Sequence, residues 1–389
     1  MDASTVRIGV GGAAVVGVAF GMARYVYGLT LPDVRAEFGI SELLLGLVAS
    51  GTFAGYLLGL VGAPRLSARR GPRAPTTVGG VCGVAGCATV ALAPSPSVLA
   101  AGAVLAGSAA GWVWAPYSDI AAAAVPQRNR PAVLAVITTG TSAGLVTLAG
   151  LSVLTAAASW RWTWAGIAAA AAVAAVVNLR AVPRLQPHRT DAGAPRRSPL
   201  RRTMTRPLAY AVLYFAATTV YFTYASDIAR TDGRGAVAGA LIFALVGAGG
   251  LVGLGTGRIA QAFGAPAVAV VSVCVVGGAL VLLALGRASL LVVLLSALVF
   301  GAGYMVGSAV LAIWTAQVVA DRPGDGFTVA LVVGALTSIA APAVMGAVIP
   351  LVGLPVMLAA VAVVAVSGAL VVAAAPRLRA RVLSRRGRH

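Results

Sequence analysis

Arg24 is the residue whose chemistry is easiest to define, because it interrupts an apolar stretch that runs from about residue 8 to residue 31. If this stretch crosses a bilayer, the charge costs at least about 2.5–3.5 kcal/mol on insertion scales and is rarely left in lipid. Two interpretations stay open. Arg24 lines a cavity, where it binds an anionic or carbonyl-bearing molecule or tunes a nearby acid, or it snorkels to an interface near Leu31.

A second set of candidates combines aromatic faces with hydrogen-bonding groups. Eight of the nine tyrosines fall within, or at the ends of, the first, fourth, seventh and tenth apolar segments. A tyrosine suits an amphipathic or aromatic solute, although an aromatic belt at the bilayer interface would give a similar distribution. The predicted binding residues are Arg24, Tyr27, Trp112, Tyr214, Thr218, Tyr221 and Tyr304.

The chain repeats itself after 194 residues. That shift lays Tyr27 on Tyr221, Asp33 on Asp227 and Arg128 on Arg322, and it also superposes six pairs of glycines. The Asp, Tyr and Arg matches are informative because these residues are scarce here. Asp33 and Asp227 therefore occupy matching ends of the first and seventh segments, where they either couple or gate transport or simply solvate a helix end.

The composition places the chain in lipid. Hydrophobic residues make up 59% of it and charged residues 10%, and the mean hydropathy is +0.94. A soluble domain of this size carries about 25% charged residues. A bilayer core about 30 Å thick needs about 20 apolar residues per helix. Twelve such segments are predicted, near residues 8–31, 43–63, 75–93, 97–118, 131–156, 162–182, 208–227, 236–256, 266–286, 289–313, 327–349 and 353–375.

The positive charge is distributed as it is in membrane proteins. All 29 basic residues are arginines, and 23 of them lie on one side if the N-terminus is cytoplasmic. This positive-inside asymmetry predicts two cytoplasmic termini in an inner (plasma) membrane. The net charge of +19 is then explained by orientation and contact with anionic lipid, so a nucleic-acid partner is not expected.

The segments divide into two halves. We predict an N-terminal six-helix bundle over residues 1–182, a basic cytoplasmic linker over 183–206, a C-terminal bundle over 207–376 and a basic tail over 377–389. The predicted fold class is therefore an all-α polytopic membrane protein of twelve helices in two pseudo-symmetric bundles. The helices contain no His and no deep carboxylate, so we expect neither an enzyme nor a metal or other cofactor.

Several short motifs add to this pattern. The stretch Pro64-Arg65-Leu66-Ser67-Ala68-Arg69-Arg70-Gly71-Pro72-Arg73 matches the form G-x-L-a-D-r-x-G-r at Leu66, Arg69, Gly71 and Arg73, but it lacks the Asp. The equivalent stretch in the second half, from Gly257 to Gly264, has Gln261 at the acidic position. The run Trp160-Arg161-Trp162 and the opening Arg24–Arg35 stretch complete the set. Together they resemble the major facilitator superfamily, with a bacterial cyanate-permease-like or drug-efflux-like branch as the nearest pattern.

The resemblance implies a secondary transporter that works by alternating access around one central site, usually as a monomer. It places helices one, four, seven and ten around the cavity. Because this sequence lacks the acidic residue of the family's loop motif, Asp119 becomes a candidate partner for the loop arginines. The gating or coupling candidates are Asp33, Asp227, Asp119, Arg69, Gly71, Arg73 and Gln261. Two functions remain open. One is proton-coupled efflux of a small amphipathic compound by an antiporter, and the other is uptake of a small anion through Arg24.

Overall fold

The apolar segments form twelve helices that are long and apolar enough to cross a bilayer. The computed structural model describes residues 3–185, 203–230, 235–286, 289–319 and 323–386, and within these ranges no strand occurs. The spans are α1 (Ala3–Phe38), α2 (Glu42–Arg70), α3 (Arg73–Ala91), α4 (Pro96–Ala124), α5 (Gln127–Thr155), α6 (Trp160–Ala181), α7 (Thr203–Ala229), α8 (Ala236–Phe263), α9 (Ala265–Leu285), α10 (Leu290–Val318), α11 (Gly326–Val352) and α12 (Leu354–Ala373).

These spans form two pseudo-symmetric bundles, α1–α6 and α7–α12, and the 194-residue repeat holds down to single close contacts. Gly55 of α2 packs against the carbonyl oxygen of Val104 on α4, and Gly249 of α8 packs against that of Leu298 on α10. A Cβ atom at either glycine would overlap that oxygen. Small residues let helix backbones approach this closely in a membrane, where lipid supplies no hydrophobic drive for association. The same packing solution therefore recurs in both halves.

The first span is longer and less regular than the sequence predicts. It contains a π-helical segment, Gly17–Ala23, directly before Arg24, and its last part (Val26–Phe38) continues through Pro32. The prediction that this span ends near Leu31 was wrong, because charged side chains beyond Leu31 find ion-pair partners and let the helix continue. Single-turn π segments occur often at functional sites.

Two helix junctions in equivalent places end on glycines with positive φ. Gly71, at φ +81°, closes α2, and its N–H donates to the carbonyl of Ser67 at 2.8 Å. Gly264, at φ +83°, closes α8 in the second half. The Pro64–Arg73 stretch is consequently mostly helix, with Gly71 and Pro72 alone as the turn, so the family's loop motif is here the end of one helix and the start of the next. The predicted linker lies largely outside the described residues, at 186–202, as does the end of the tail after Arg386.

An even number of spans puts both chain ends on one side. We call the side with the α2–α3, α4–α5 and α8–α9 junctions the terminal face, and the opposite side, with the α1–α2, α3–α4 and α11–α12 junctions, the distal face. The helix of α12 itself runs on to Arg386 on the terminal face. The two faces differ in how the halves meet, and that difference positions the site.

Candidate functional site

A central cavity of about 70 Å³ lies between the two halves. Both halves contribute to it, through spans α1, α2, α4 and α5 on one side and α7, α10 and α11 on the other. Its lining combines aromatic rings, hydroxyl groups and one charge: Phe20, Arg24, Tyr25, Phe53, Tyr56, Trp114, Thr138, Thr141, Tyr214, Phe215, Thr218, Thr219, Phe222, Tyr304, Met305, Ser308, Phe327 and Leu331. No Asp or Glu is among them, so the cavity is electropositive.

The Arg24 side chain is held among aromatic rings and faces the cavity. Its guanidinium carbon lies 4.1 Å from the ring centre of Tyr56, 5.0 Å from Phe53, 5.5 Å from Phe20 and 5.8 Å from Tyr25. Cation–π contact with the best of these rings offsets up to about 2 kcal/mol of the cost of burial. Its Nε and Nη1 atoms are buried and have no hydrogen-bond partner in the described part of the chain. Arg24 is therefore a positioned charge with unused donors.

Three tyrosines form a hydrogen-bonded chain across the boundary between the halves. The Tyr25 hydroxyl of α1 lies 2.6 Å from the Tyr304 hydroxyl of α10, and the Tyr214 hydroxyl donates to the Tyr304 carbonyl at 2.5 Å. Tyr25 also stacks on Phe222 of α7, with ring centres 3.8 Å apart. Since these contacts join the two halves next to Arg24, a change in the relative position of the halves must alter them.

The predicted binding residues divide between the cavity and the surrounding core. Arg24, Tyr214, Thr218 and Tyr304 line the cavity. Tyr27 instead donates to the Leu45 carbonyl at 3.0 Å, and Tyr221 bonds to Ser296 at 2.8 Å while it stacks on Phe300.

Trp112 is the third predicted binding residue that does not line the central cavity. Its ring packs against Gly62, where an added Cβ atom would lie 2.6 Å from the ring. Trp114 faces the cavity in its place. Residues two apart on a helix point in nearly opposite directions, so the rotation of α4 about its axis decides that Trp114, and not Trp112, faces the cavity.

The distal face is closed by two reciprocal ion pairs between α1 and α7. Asp33 accepts two bonds from Arg230, at 2.5 and 2.7 Å, and Asp227 accepts two from Arg35, at 2.5 and 2.7 Å. Each half thus gives one carboxylate and one arginine. Bidentate pairs of this kind are stronger than single charge-assisted bonds. Arg35 also donates to Glu42 at 3.1 Å.

Backbone packing also closes the same face. Gly28 of α1 lies directly against the Phe222 carbonyl of α7, so that a Cβ atom there would overlap the carbonyl oxygen. Gly46 of α2 meets the Pro342 carbonyl of α11 in the same way, and Gly346 meets the Glu42 carbonyl. The halves are in direct backbone contact on the distal side of the cavity.

The remaining gating candidates lie on the terminal face. Asp119 and Arg69 are exposed near the ends of α4 and α2, and Gln261 is exposed on α8. Arg73 donates from Nη2 to the Leu179 carbonyl at 2.7 Å and so ties the start of α3 to the end of α6. Gly71 forms the turn before it. None of these residues lines the central cavity.

Sequence reasoning missed several residues that complete the site. Phe20, Phe53 and Tyr56 surround Arg24, and Tyr25 links it to the second half. One signal was available, since Phe20 precedes Arg24 by four residues and therefore lies on the same helix face. The partners from α2 carry no comparable signal, because nothing in the sequence states which face of α2 meets α1.

Comparison with known proteins settles the family. The Major Facilitator Superfamily pattern matches residues 13–342. This chain belongs to the Major Facilitator Superfamily. No curated protein matches the sequence closely enough to add to that assignment.

Solved structures of this superfamily share the fold. The xylose transporter XylE from E. coli, in a partially occluded inward-open conformation, superposes with a TM-score of 0.75 at 14% identity over 95% of this chain and 98% of that one. A bacterial homolog of the human lysosomal transporter Spinster, inward-facing and occupied, gives 0.74 at 15% identity over 97% and 98%. A peptide transporter, POT, crystallised with sulfate gives 0.75 at 14% identity over 96% and 94%. At these identities the likeness shows the fold alone.

Proposed function

We propose that this superfamily member is a secondary transporter for a small organic anion, which binds in the central cavity with its charged group on Arg24. One observation carries the proposal: a buried guanidinium with two unpartnered nitrogens faces a cavity in which no carboxylate balances it. Guanidinium groups bind carboxylates through two parallel charge-assisted bonds, which gives both strength and orientation. An anion would accept bonds from these two nitrogens and supply the negative charge that the cavity lining lacks.

The orientation follows from the arginines. With 23 of 29 arginines at the terminal face or the segments attached to it, we infer that this face is cytoplasmic and that the membrane is the plasma membrane. The ion-paired distal face is then external, and the state described here is closed to the outside. Uptake is the direction we propose, with opening of the distal face as the step that admits the anion.

We assign Asp33 and Asp227 to gating rather than to substrate binding. Both carboxylates lie at the distal mouth, and both are paired with an arginine of the other half. Separation of the halves at this face must break both bidentate pairs. A proton that arrives from outside would meet these carboxylates before the cavity, and protonation would weaken the pair, so they are also our candidates for coupling to a proton.

The aromatic lining supports a second candidate, proton-coupled efflux of an uncharged amphipathic compound. Tyr25, Phe222, Phe53 and Tyr56 present apolar faces near the centre of the molecule. An aromatic solute could stack on such rings without using Arg24. The two candidates differ in whether transport needs a negative charge on the solute.

The test compares three solutes of similar shape in proteoliposomes under an imposed pH gradient: benzenesulfonate, benzenesulfonamide and benzyltrimethylammonium. The sulfonate keeps its charge and cannot leak across as a neutral acid. We expect selective movement of the sulfonate, and an at least tenfold lower rate in Arg24→Ala. The matched variant Arg24→Lys keeps the charge but lacks the two parallel N–H donors of a guanidinium, so it should retain part of the rate. Equal movement of the sulfonamide, unchanged by Arg24→Ala, would exclude anion transport and favour the efflux candidate.

A further inference from the structure

A second cavity of about 290 Å³ adjoins the central one on its terminal side. We call it the side vestibule and define it by Ser142 of α5, Gly253 and Leu254 of α8, and Ala309, Ala312 and Ile313 of α10. It shares Trp114, Thr138, Met305, Ser308 and Phe327 with the central cavity, so the two spaces adjoin at these side chains. The vestibule lies between the halves, because α5 belongs to the first and α8 and α10 to the second.

A local break in α8 makes room for the vestibule. The α-helix stops at Gly250, a 3₁₀ segment covers Leu251–Gly255, and the α-helix resumes at Thr256. At Gly253, an added Cβ atom would lie 2.7 Å from the Cβ atom of Met305, so the absence of a side chain lets α8 approach α10 at this point. Leu251 and Leu254, which line the vestibule, are 54% and 68% exposed, so this wall is open rather than packed.

The chemistry of the vestibule differs from that of the central cavity. Its lining contains no charged side chain, and its polar groups are limited to the hydroxyls of Thr138, Thr139, Ser142 and Ser308, the Trp114 indole and the backbone. Such a surface gains little from an ion and gains most from apolar atoms that leave water. The charge at Arg24 and the apolar vestibule thus lie in two adjoining spaces of different chemistry.

The two volumes favour an occupant that uses both spaces. The central cavity measures about 70 Å³, whereas sites for organic ligands usually measure about 300–1,000 Å³. The vestibule brings the joined space to the lower end of that range. A substrate that fills it must be apolar at one end and anionic at the other.

We propose that the substrate is an amphipathic anion, whose charged group binds Arg24 and whose hydrocarbon portion occupies the side vestibule. This inference rests on the anion site proposed above and adds the substrate class: short-chain alkyl or arylalkyl carboxylates and sulfonates. Small inorganic anions fill one end alone and bind weakly.

The test measures how straight-chain alkanesulfonates, from ethane- to hexanesulfonate, inhibit benzenesulfonate transport by proteoliposomes. Each methylene that enters an apolar site should lower the inhibitory concentration about fourfold. Ala309→Phe fills the vestibule and should flatten this series. Leu295→Phe, on the exposed side of the same helix, is the matched control and should retain the full slope.

The outcomes separate the two proposals. A flat series in the wild-type protein, with transport still selective for anions, would overturn the vestibule and leave the Arg24 site standing. A steep series that Ala309→Phe does not change would also overturn it, because partition into lipid would then explain the slope. Absence of inhibition by every sulfonate, with competition by neutral compounds instead, would overturn the anion site itself.

Discussion

Replacement of Arg24 by methionine is expected to make the protein more stable and to abolish its transport. Methionine fills a similar volume without a charge. The buried guanidinium costs at least about 2.5–3.5 kcal/mol in a spanning helix, and contact with aromatic rings returns up to about 2 kcal/mol. The difference predicts a gain of about 1 kcal/mol in the free energy of unfolding. Thermal unfolding of the purified variant measures it.

Transport should change in the opposite direction and by more. Loss of one partner of a desolvated charge pair costs about 2–5 kcal/mol, which is a fall of at least about thirtyfold in affinity for the anion. Such a trade of stability for function is common at binding sites. Arg35→Met serves as the control, because Arg35 is bound to Asp227 and its loss should destabilise the protein instead. An Arg24→Met protein that is less stable than the wild type would show that Arg24 is scaffolding.

Replacement of Gly28 by alanine is expected to open the distal face. The new Cβ atom would overlap the Phe222 carbonyl oxygen of the other half, and neither backbone can yield without moving its helix. A rigid overlap of this kind favours the state in which the halves are apart. The variant Thr218→Cys, on the cavity wall, reports opening of the distal face. It is made in a protein in which Cys82, Cys87 and Cys274 are changed to serine. A membrane-impermeant maleimide added at the distal face should label it at least about tenfold faster than in the parent, a shift of about 1.4 kcal/mol.

Two control variants make this result specific. Gly301→Ala creates the same overlap with the Val246 carbonyl, but inside the second half, so it should lower stability without changing the labelling rate. Gly235→Ala, with open space around it, should change neither. If Gly28→Ala folds and labels no faster than its parent, the Gly28 contact does not hold the distal face closed.

Much of the fold follows from the sequence because helix length and apolar period are local properties. Twelve spans, their order and the 194-residue repeat were all visible in the residues. The repeat even anticipates packing, since the Gly55–Val104 contact recurs as Gly249–Leu298. Span ends were less accurate: α1 and α2 continue past their predicted ends at Leu31 and Ala63 into polar sequence, where ion pairs and helix caps replace hydropathy as the deciding factor.

The site shows where local reasoning stops. Tyr25 and Tyr27 are equally plausible cavity residues by composition, yet Tyr25 bonds to Tyr304 across the boundary and Tyr27 bonds to the Leu45 carbonyl. The π-helical segment before Arg24 rotates everything that follows it relative to a regular helix, and no residue pattern marked its place. Rotation about a helix axis is set by tertiary packing, so it could not be read from the period alone.

The distal ion pairs illustrate the same limit. The repeat identified Asp33 and Asp227 as equivalent, but their partners Arg230 and Arg35 are not equivalent positions and each belongs to the other half. Pairing between halves depends on how the bundles meet. The candidate acids can be read from the sequence, whereas their partners are known only once the two bundles are packed together.

The most direct test of the central claim is the thermal stabilisation of the purified protein by benzoate and by benzamide, two ligands of nearly equal shape that differ in charge. A ligand at a hundred times its dissociation constant stabilises by about 2.7 kcal/mol. We predict that benzoate raises the unfolding temperature of the wild-type protein, that benzamide does not, and that Arg24→Met removes the effect of benzoate. Equal stabilisation by both ligands, or by benzoate in the variant, would contradict an anion site at Arg24.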